Sequence, residues 1–364
     1  MNQLLGKGFY IWKIPMCENG DPSAIAHVAS QAGLSHVIIK IANGIYDYNY
    51  DSVAKRDLVK PVVLALKVKG IQVWGWHYVY GDLPKQEAAA AIRQIGKIPL
   101  DGYVINAESE YKDKYTPCRI FLSELRATLP DFPMSLSSFR YPKYHPQLPW
   151  KDFLSRVDLN MPQVYWEQAH NPAEQLQRCL NEFQSIAPFR TIIPTGPAYG
   201  ANEWKPTSQD IIEFMNTAIQ LNMPAINFYS WDYCRSKLPN IWGTISNFSW
   251  PNYPNASKDI SEFLINALNI RDLDTIVSLY HSNAAHITAQ STIQGPTQIR
   301  AWYDLMINQL PVDFHYETTS VESNMSTRHI HWNTVSNAKI IKSGIDTIGL
   351  LNGKIIYHYS SMNE

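Results

Sequence analysis

The feature that most constrains the fold is a repeated alternation of strand-like and helix-like segments over the first two thirds of the chain. Runs rich in Val, Ile, Tyr and Trp, such as IQVWGWHYVYG at 71–81, alternate with amphipathic or Ala-rich runs, such as LPKQEAAAAIRQIG at 83–96. Strands that alternate with helices indicate βαβ units and a parallel sheet. Eight such units in roughly 240 residues predict a closed (β/α)8 TIM barrel, which usually takes about 250 residues.

An open, doubly wound sheet is the alternative. It is disfavoured because no GxGxxG or GxxxxGK[ST] stretch follows a predicted strand, so the chain lacks the usual nucleotide-binding signals. HExxH, a His/Asp cluster with metal-ligand spacing and a GxSxG elbow are also missing from the sequence. We therefore expect no cofactor and no metal.

A change of pattern divides the chain. NFSWPNYPNASK at 247–258 is rich in Asn, Pro and Ser and lacks periodicity, which is typical of a linker. Helical runs at 259–281 and 295–310 follow, and then four alternating β runs. This order predicts an α+β domain. We assign residues 1–246 to the barrel, 247–258 to the linker and 259–364 to the small α+β domain.

Charge and cysteine content restrict the partners and the compartment. The chain has 31 Lys and Arg against 32 Asp and Glu, without clusters, so nucleic acid is not an expected partner. No apolar run approaches the roughly 20 residues of a membrane span. The four cysteines lack metal spacing, and MNQLLGKGFYIW lacks signal-peptide features. We expect synthesis in the cytoplasm, and release by lysis or on an extracellular, phage-like particle if the protein works outside.

The stretch YVINAESEY at 103–111 carries the strongest candidate chemistry. It reads as the fourth barrel strand, and barrel active sites lie at the C-terminal ends of strands. Side chains alternate along a strand, so Val104, Asn106 and Glu108 point the same way. With Val104 inside the barrel, Asn106 and Glu108 line its mouth.

Short motifs in the barrel resemble those of lysozyme-like glycoside hydrolase family 25 and its diverged relatives, over about residues 8–245. They are GFYIWKI, GWHYVYG, YVINAESEY, LNMPQVYW and NFYSWDY. In that family the fourth strand ends in Asp-x-Glu, and the Glu is the proton donor. The resemblance implies that Glu108 is the general acid. Asn106 replaces the Asp, and the first strand offers Trp12 and Lys13 where the family has a further acid.

A second carboxylate is therefore needed, and three are candidates: Asp232, which strand order favours, Glu110 and Glu167. An alternative is assistance by the substrate's own N-acetyl group, with Asn106 orienting the acetamide. The 11 Trp and 21 Tyr supply flat surfaces for sugar rings. The predicted mouth also includes Lys40, Asn43 and Ser138. The predicted substrate-binding residues are Trp12, Trp76, His77, Tyr78, Gln163, Tyr165, Trp166, Tyr229 and Trp231.

Residues 260–362 resemble the SnoaL-like (nuclear transport factor 2-like) cone fold through RDLDTIVSLYHSNAAHITA, GPTQIRAWYDLM and GIDTIGLLNGKIIYHY. The resemblance implies a small cone domain but leaves its role open. It mediates oligomerisation or docking through the open face of its sheet, or its cavity has chemistry of its own. Cavity candidates are His286, His315, His331, Trp332 and Asp346.

Two functions remain open for the whole chain. The first is a glycoside hydrolase that acts on peptidoglycan or another polysaccharide, with Glu108 as acid. The second is a catalytically inactive glycan-binding or assembly protein of a phage-like or cell-surface particle, in which the C-terminal domain mediates oligomerisation.

Overall fold

The computed structural model describes residues 4–250, 260–311, 313–324, 326–337, 339–351 and 354–362. Most of the described residues before 251 form one compact unit, and those from 260 onward belong to a second. The predicted linker at 247–258 lies largely outside the described residues, so its boundaries stay a prediction.

The first unit contains a closed ring of eight parallel strands, and the predicted barrel is confirmed. Each strand pairs with the next one along the chain, and β1 closes the ring by pairing with both β2 and β8. The strands are β1 (Gly6–Ile11), β2 (His36–Asn43), β3 (Gln72–Val79), β4 (Gly102–Ala107), β5 (Met134–Phe139), β6 (Leu159–Gln163), β7 (two pieces, Thr191–Ile192 and Thr195–Pro197) and β8 (Ala225–Tyr229).

Helices connect the strands and begin where local capping signals occur. The Asp21 carboxylate accepts a 2.9 Å hydrogen bond from the Ala24 amide at the start of the first helix, and Thr207 and Asp210 form a reciprocal capping box. The helices are α1 (Pro22–Gln31), α2 (Val59–Val68), α3 (Pro84–Lys97), α4 (Tyr115–Thr128), α5 (Trp150–Arg156), α6 (Pro172–Gln184), α7 (Ser208–Gln220), α8 (Trp231–Lys237) and α9 (Pro239–Asn247).

Two local expectations are wrong. The run TPCRIFLSELRATL at 116–129 predicts a helix with Thr116 as its N-cap, but α4 begins at Tyr115 and its N-cap, Lys114, makes no side-chain capping bond. The run PAINFYSWDY at 224–233 predicts a last barrel strand that continues to residue 233. It ends at Tyr229, and the chain turns directly into α8.

The barrel strands are buried on both faces, as expected of parallel strands covered by helices. One apolar layer fills the barrel interior and includes Tyr10, Ile38, Trp74 and Val104. A larger layer lies between strands and helices. Because Val104 belongs to the interior layer, the alternation along β4 directs the later residues of that face towards the barrel mouth.

The second unit packs three helices on a six-stranded sheet. Strands β11 to β14 form an antiparallel meander, as the four β runs predict, and β9 joins it in parallel beside β14. The sheet order is β10-β9-β14-β13-β12-β11. The elements are α10 (Ile260–Asn269), α11 (Leu273–Ser278), β9 (Tyr280–Ile287), β10 (Thr292–Gln294), α12 (Gly295–Asn308), β11 (His315–Asn324), β12 (Thr327–Ser336), β13 (Lys339–Leu351) and β14 (Lys354–Met362).

The continuous helix expected at 259–281 is instead two helices followed by a strand. Arg271 has a φ of 56°, which an α-helix does not accommodate. The Asp272 side chain then caps α11 by accepting a 3.0 Å hydrogen bond from the Thr275 amide. This left-handed residue and the new cap explain the break.

Candidate functional site

A cavity of about 490 Å³ lies at the C-terminal ends of the barrel strands. Its size suits a small organic ligand, and its position is where barrel enzymes carry their active sites. The aromatic side chains that line it are Tyr10, Trp12, Trp76, Tyr78, Tyr80, Tyr165, Tyr199 and Tyr229. The polar side chains that line it are Lys40, Asn43, Asn106, Glu108, Glu110, Ser137, Gln163 and Glu167.

Glu108 stands beside two side-chain amides within this cavity. The Asn106 Nδ2 atom donates to Glu108 Oε1 over 3.0 Å, and Gln163 Nε2 donates to the same oxygen over 3.0 Å. Gln163 Nε2 also reaches Asn106 Oδ1 at 2.9 Å. The three side chains therefore form one hydrogen-bonded group between β4 and β6. One Glu108 oxygen can accept both bonds because it has two lone pairs.

The other two acids of the cavity are each paired with a tyrosine. Tyr78 donates its hydroxyl proton to Glu110 over 2.7 Å. Burial, the charge of Glu108 and this pairing raise the pKa of Tyr78. The Tyr199 hydroxyl donates to Glu167, and burial followed by that bond raises the pKa of Tyr199. Both phenols therefore stay protonated at neutral pH, and both acids present an oxygen that can accept from a ligand hydroxyl.

The aromatic side chains form an interlocking set. The Tyr10 ring lies 6.1 Å from Trp76 and 6.0 Å from Tyr229, and Tyr165 lies 6.3 Å from Tyr229, measured between ring centroids. Trp76 is fixed by a 3.0 Å hydrogen bond from its Nε1 to the carbonyl of Ile11. The structure thus supplies a rigid wall whose ring faces suit the apolar faces of sugars.

Asp232, the acid that strand order favoured as the partner of Glu108, does not line the cavity. Its Oδ1 accepts a 3.0 Å hydrogen bond from the backbone N–H of Trp12. Burial raises the pKa of Asp232, and the bond from Trp12 partly opposes the rise. The carboxylate lies just beyond β8, within the first turn of α8, and binds the segment after β1. The expected place of Asp232 in the cavity wall is therefore corrected, and its catalytic role stays a prediction.

Three of the predicted sugar-binding residues are also absent from the cavity wall. His77 is fully buried; its Nδ1 pairs with the Tyr103 hydroxyl and its Nε2 with the Gly44 carbonyl, each at 2.7 Å. Burial lowers the pKa of His77 to about 4, so the ring is neutral. Trp166 is buried against Phe214. Trp231, also buried, donates its Nε1 proton to Glu18 over 2.7 Å.

The remaining predicted residues are brought together. Glu108 and Asn106 line the cavity with six of the nine proposed substrate-binding residues, namely Trp12, Trp76, Tyr78, Gln163, Tyr165 and Tyr229. On β5 the predicted cavity residue is Ser138, but its neighbour Ser137 lines the cavity instead. Ser138 donates a 2.6 Å hydrogen bond to the carbonyl of Ala107.

Sequence reasoning missed three aromatic residues of the wall. Tyr10 is two positions before Trp12, so the period of two along β1 was a usable signal. Tyr80 likewise stands two positions after Tyr78. Tyr199 comes after the end of β7, where no strand period applies, and it offered no such signal.

The second unit has its own cavity, of about 650 Å³. Two buried groups in its wall form a polar pair: His358 Nε2 lies 3.2 Å from Asp346 Oδ2. His286 stacks on His358 with ring centroids 4.2 Å apart. Burial and the neighbouring His358 lower the pKa of His286 to about 3, so His286 is neutral. Tyr280 contacts His358 Nδ1 at 2.5 Å and Tyr303 at 2.8 Å, which extends the polar chain.

Three of the five cavity candidates of this unit line that cavity: His286, Trp332 and Asp346. His315 is instead exposed and contacts Glu317 at 3.1 Å. His331 is absent from the cavity wall.

Within the part of the chain that the structure describes, no group of three or more His, Cys, Asp or Glu side chains is arranged to hold a metal ion. The four cysteines are buried as free thiols. Among the described helices, none has the length and apolar character needed to cross a membrane.

No family model and no curated protein matches this chain. Two solved structures that resemble it each cover less than a third of this chain. An NTF2-like protein of unknown function from Cytophaga hutchinsonii is 14% identical and has a TM-score of 0.25, with 28% of this chain and 86% of that chain covered. A SnoaL-like family protein from Agrobacterium tumefaciens is 14% identical with a TM-score of 0.27, covering 29% of this chain and 94% of that chain.

Proposed function

We propose that the barrel binds a polysaccharide in its cavity and hydrolyses a glycosidic bond, with Glu108 as the proton donor. The observation that carries this proposal is the position of Glu108: it follows β4, lines a cavity of about 490 Å³ and is surrounded by aromatic side chains. A carboxylic acid that protonates the leaving oxygen is the first requirement of glycoside hydrolysis.

The cavity chemistry favours a hydroxyl-rich, neutral ligand. Sugar rings present apolar faces to aromatic side chains and hydroxyls to acceptors. Here Glu110 and Glu167 each accept from a tyrosine and retain a second carboxylate oxygen. The wall thus combines ring faces with carboxylate acceptors, and peptidoglycan or another polysaccharide is the proposed partner.

Substrate assistance is the route that the cavity supports best. Hydrolysis by two carboxylates needs a second acid near the first. Asp232 is held by the Trp12 backbone, and Glu110 and Glu167, which line the cavity, each accept a hydrogen bond from a tyrosine hydroxyl. A neighbouring acetamide would attack the anomeric carbon through its oxygen while Glu108 protonates the leaving group. Asn106, which is 3.0 Å from Glu108, would orient that acetamide. We therefore propose N-acetylhexosamine at the cleaved residue, a sugar class that peptidoglycan contains.

The test compares wild type with Glu108→Gln on peptidoglycan and on a panel of glycans. Loss of a general acid lowers rates by about 10²–10⁴-fold, so the variant should lose nearly all hydrolysis. Glutamine retains the size of the side chain, and glycan binding should survive. Equal background hydrolysis by both proteins would remove the enzymatic proposal.

A catalytically inactive glycan-binding protein is the alternative function. One observation favours it: Asn106 and Gln163 both donate hydrogen bonds to Glu108 Oε1. These bonds occupy one oxygen of the residue that would have to protonate the substrate. Glycan binding by wild type and Glu108→Gln, without hydrolysis by either, would support this alternative.

For the second unit we propose a SnoaL-like cone that mediates assembly. The support is its element order, with three helices packed on a six-stranded sheet that ends in an antiparallel meander. Tyr357 is exposed next to the buried His358, so it lies on the opposite sheet face and offers an aromatic docking surface. A homo-oligomer formed through this face is the simplest assembly.

A second candidate function is acid–base chemistry in the cavity of this unit. The Asp346–His358 pair favours it, because it lies in the wall of a cavity that Trp302 and Trp332 also line. Comparison of wild type with His358→Gln on small apolar carbonyl compounds tests it, since turnover by wild type and its loss in the variant are expected. Absence of turnover by wild type would contradict it.

A further inference from the structure

Lys40 is a buried lysine in the wall of the barrel cavity that the hydrolytic proposal does not use. It lies on β2 two positions beyond Ile38, which belongs to the interior layer, so both side chains face the barrel axis. The residue is only 5% exposed. Lysine is almost never buried to this extent unless it is paired.

Lys40 has no ionic partner among the described residues, where no carboxylate oxygen lies within 4.0 Å of its Nζ. One hydrogen bond holds the group, a 2.8 Å donation to Asn43 Oδ1. Aromatic rings supply the rest of its surroundings: Nζ lies 4.3 Å from the Tyr48 centroid and 4.6 Å from that of Trp76. The amine is therefore positioned but retains further bonding capacity towards the cavity.

Burial in this environment favours the neutral, nucleophilic form of the amine. Burial lowers the pKa of Lys40 to about 8; the charge of Glu108 opposes the shift, and the charge of Lys13 adds to it. At pH 7.5 such a group is neutral in roughly a quarter of molecules, against about 0.1% for an ordinary lysine. Neutral lysine amines in apolar pockets attack carbonyl groups.

We propose that Lys40 forms a reversible imine with the aldehyde or ketone group of a small hydroxylated molecule, such as an open-chain sugar. The carbonyl group matches the free amine, and the hydroxyl groups match the carboxylate oxygens of Glu110 and Glu167 in the same wall. The proposal goes beyond glycoside hydrolysis, since it needs only that the cavity admits such a molecule.

The chemistry balances without an oxidant or a reductant. The Nζ lone pair forms a bond to the carbonyl carbon, the π electrons of the C=O bond move to oxygen, and one proton passes from nitrogen to that oxygen. The resulting carbinolamine loses its hydroxyl group, which leaves as water with the second proton of the nitrogen. The net reaction converts amine and carbonyl into imine and water. Glu108 lines the same cavity and can carry the proton to the departing oxygen.

The experiment traps the imine in the full chain. Wild-type protein is incubated at pH 7.5 with D-glyceraldehyde and cyanoborohydride, which reduces an imine to a stable amine, and modified lysines are mapped by mass spectrometry. Lys85, whose side chain is 72% exposed, is the internal control. We expect Lys40 to react at least about tenfold faster than Lys85, given its larger neutral fraction, with a rate that rises through pH 8. Modification of Lys40 no faster than that of Lys85 would overturn the proposal.

Two further arms sharpen the result. Lys40→Met should abolish the fast-reacting site and leave Lys85 labelling unchanged. Propanal, which lacks hydroxyl groups, should show a smaller preference for Lys40; an equal preference overturns the assignment to hydroxylated ligands. If the protein hydrolyses glycans but Lys40 is not modified, only the imine proposal is contradicted. If Lys40 is modified but no glycan is hydrolysed, only the hydrolytic proposal is contradicted.

Discussion

At the scale of single residues, the barrel cavity depends on side chains in unusual surroundings, and Lys40 is the clearest case. Its folded-state pKa of about 8 lies below the ordinary value of 10.5. The folded protein thus binds its proton less tightly than the unfolded chain does. Between these two pH values the unfolded state retains a proton that the folded state has lost, so stability rises with pH in this window.

Lys40→Met tests that linkage. Methionine fills similar space without a charge, so the variant should be more stable than wild type at pH 7, and this advantage should shrink as the pH rises from 8 to 10.5. Urea unfolding at several pH values measures the difference. A stability difference that does not change with pH would contradict the assignment. Comparison with wild type removes the contribution of Lys7, whose pKa burial also lowers to about 8.

Residue alternation explains which site residues were predictable. Val104, Asn106 and Glu108 were placed correctly because β4 is regular and has a period of two. The same rule excludes His77 from the cavity wall. Trp76 and Tyr78 face the cavity, so the side chain of His77 between them faces the helices. Trp166 and Trp231 lie beyond the ends of their strands, where the period no longer determines direction.

At the scale of elements, the junction between β8 and α8 positions the segment after β1. Asp232 lies in the first turn of α8, and its carboxylate receives the backbone N–H of Trp12. The sequence showed Asp232 near the end of the eighth strand, but the early end of β8 at Tyr229 could not be read from its aromatic, strand-like composition. The element boundary therefore determines where this acid lies and which backbone group it contacts.

Asp232→Asn tests whether this acid positions Trp12 or takes part in catalysis. Asparagine retains the Oδ1 acceptor, so hydrolysis should stay within about threefold of wild type, equivalent to well under 1.4 kcal/mol. Removal of an essential second carboxylate would instead cost about 10²–10⁴-fold. Asp232→Ala, which lacks the acceptor, should weaken glycan binding through Trp12. Initial rates and binding isotherms of the two variants distinguish the roles.

The packing of β4 against β3 sets a second element-scale constraint. Gly102 begins β4, and a Cβ atom at this position would lie 2.5 Å from the ring of Trp74, which is 2% exposed. Gly102→Ala should destabilise the protein by about 1–3 kcal/mol, because a buried indole cannot move without disturbing the core. Gly96→Ala is the matched control in α3, where a Cβ meets nothing within 4 Å.

The control should be neutral or stabilising by up to about 1 kcal/mol, since alanine is the better helix former. Chemical denaturation of both variants provides the measurement. Equal stability of the two would show that β4 is less tightly packed than the structure indicates.

At the scale of the whole molecule, the chain combines two units with different expected roles, and its larger architecture was the most predictable part. Eight strand–helix repeats led directly to the closed barrel because parallel strands need crossover helices. The four late β runs led to the meander because each is amphipathic and follows a turn. The cavities were less predictable, since they depend on loops after the strands, which no periodicity governs.

Oligomerisation through the second unit is a testable consequence of the assembly proposal. Tyr357→Glu places a charge on the exposed sheet face and should convert a dimer into a monomer, because an unpaired charge is costly in an interface. Leu305→Glu is the control on α12, at a side chain that is 65% exposed. Light scattering after size exclusion measures the mass. A wild type that is monomeric at all concentrations would contradict the assembly proposal.

The central claim is that Glu108 drives cleavage of an N-acetylated glycan. The most direct measurement is the initial rate on a chitin pentasaccharide and on its fully deacetylated counterpart, for wild type and Glu108→Gln. We predict that wild type cleaves the acetylated substrate at least about 10²-fold faster than Glu108→Gln does. We also predict that wild type cleaves the acetylated substrate at least about 10²-fold faster than the deacetylated one. Rates that are equal for both proteins, or equal for both substrates, would contradict the account.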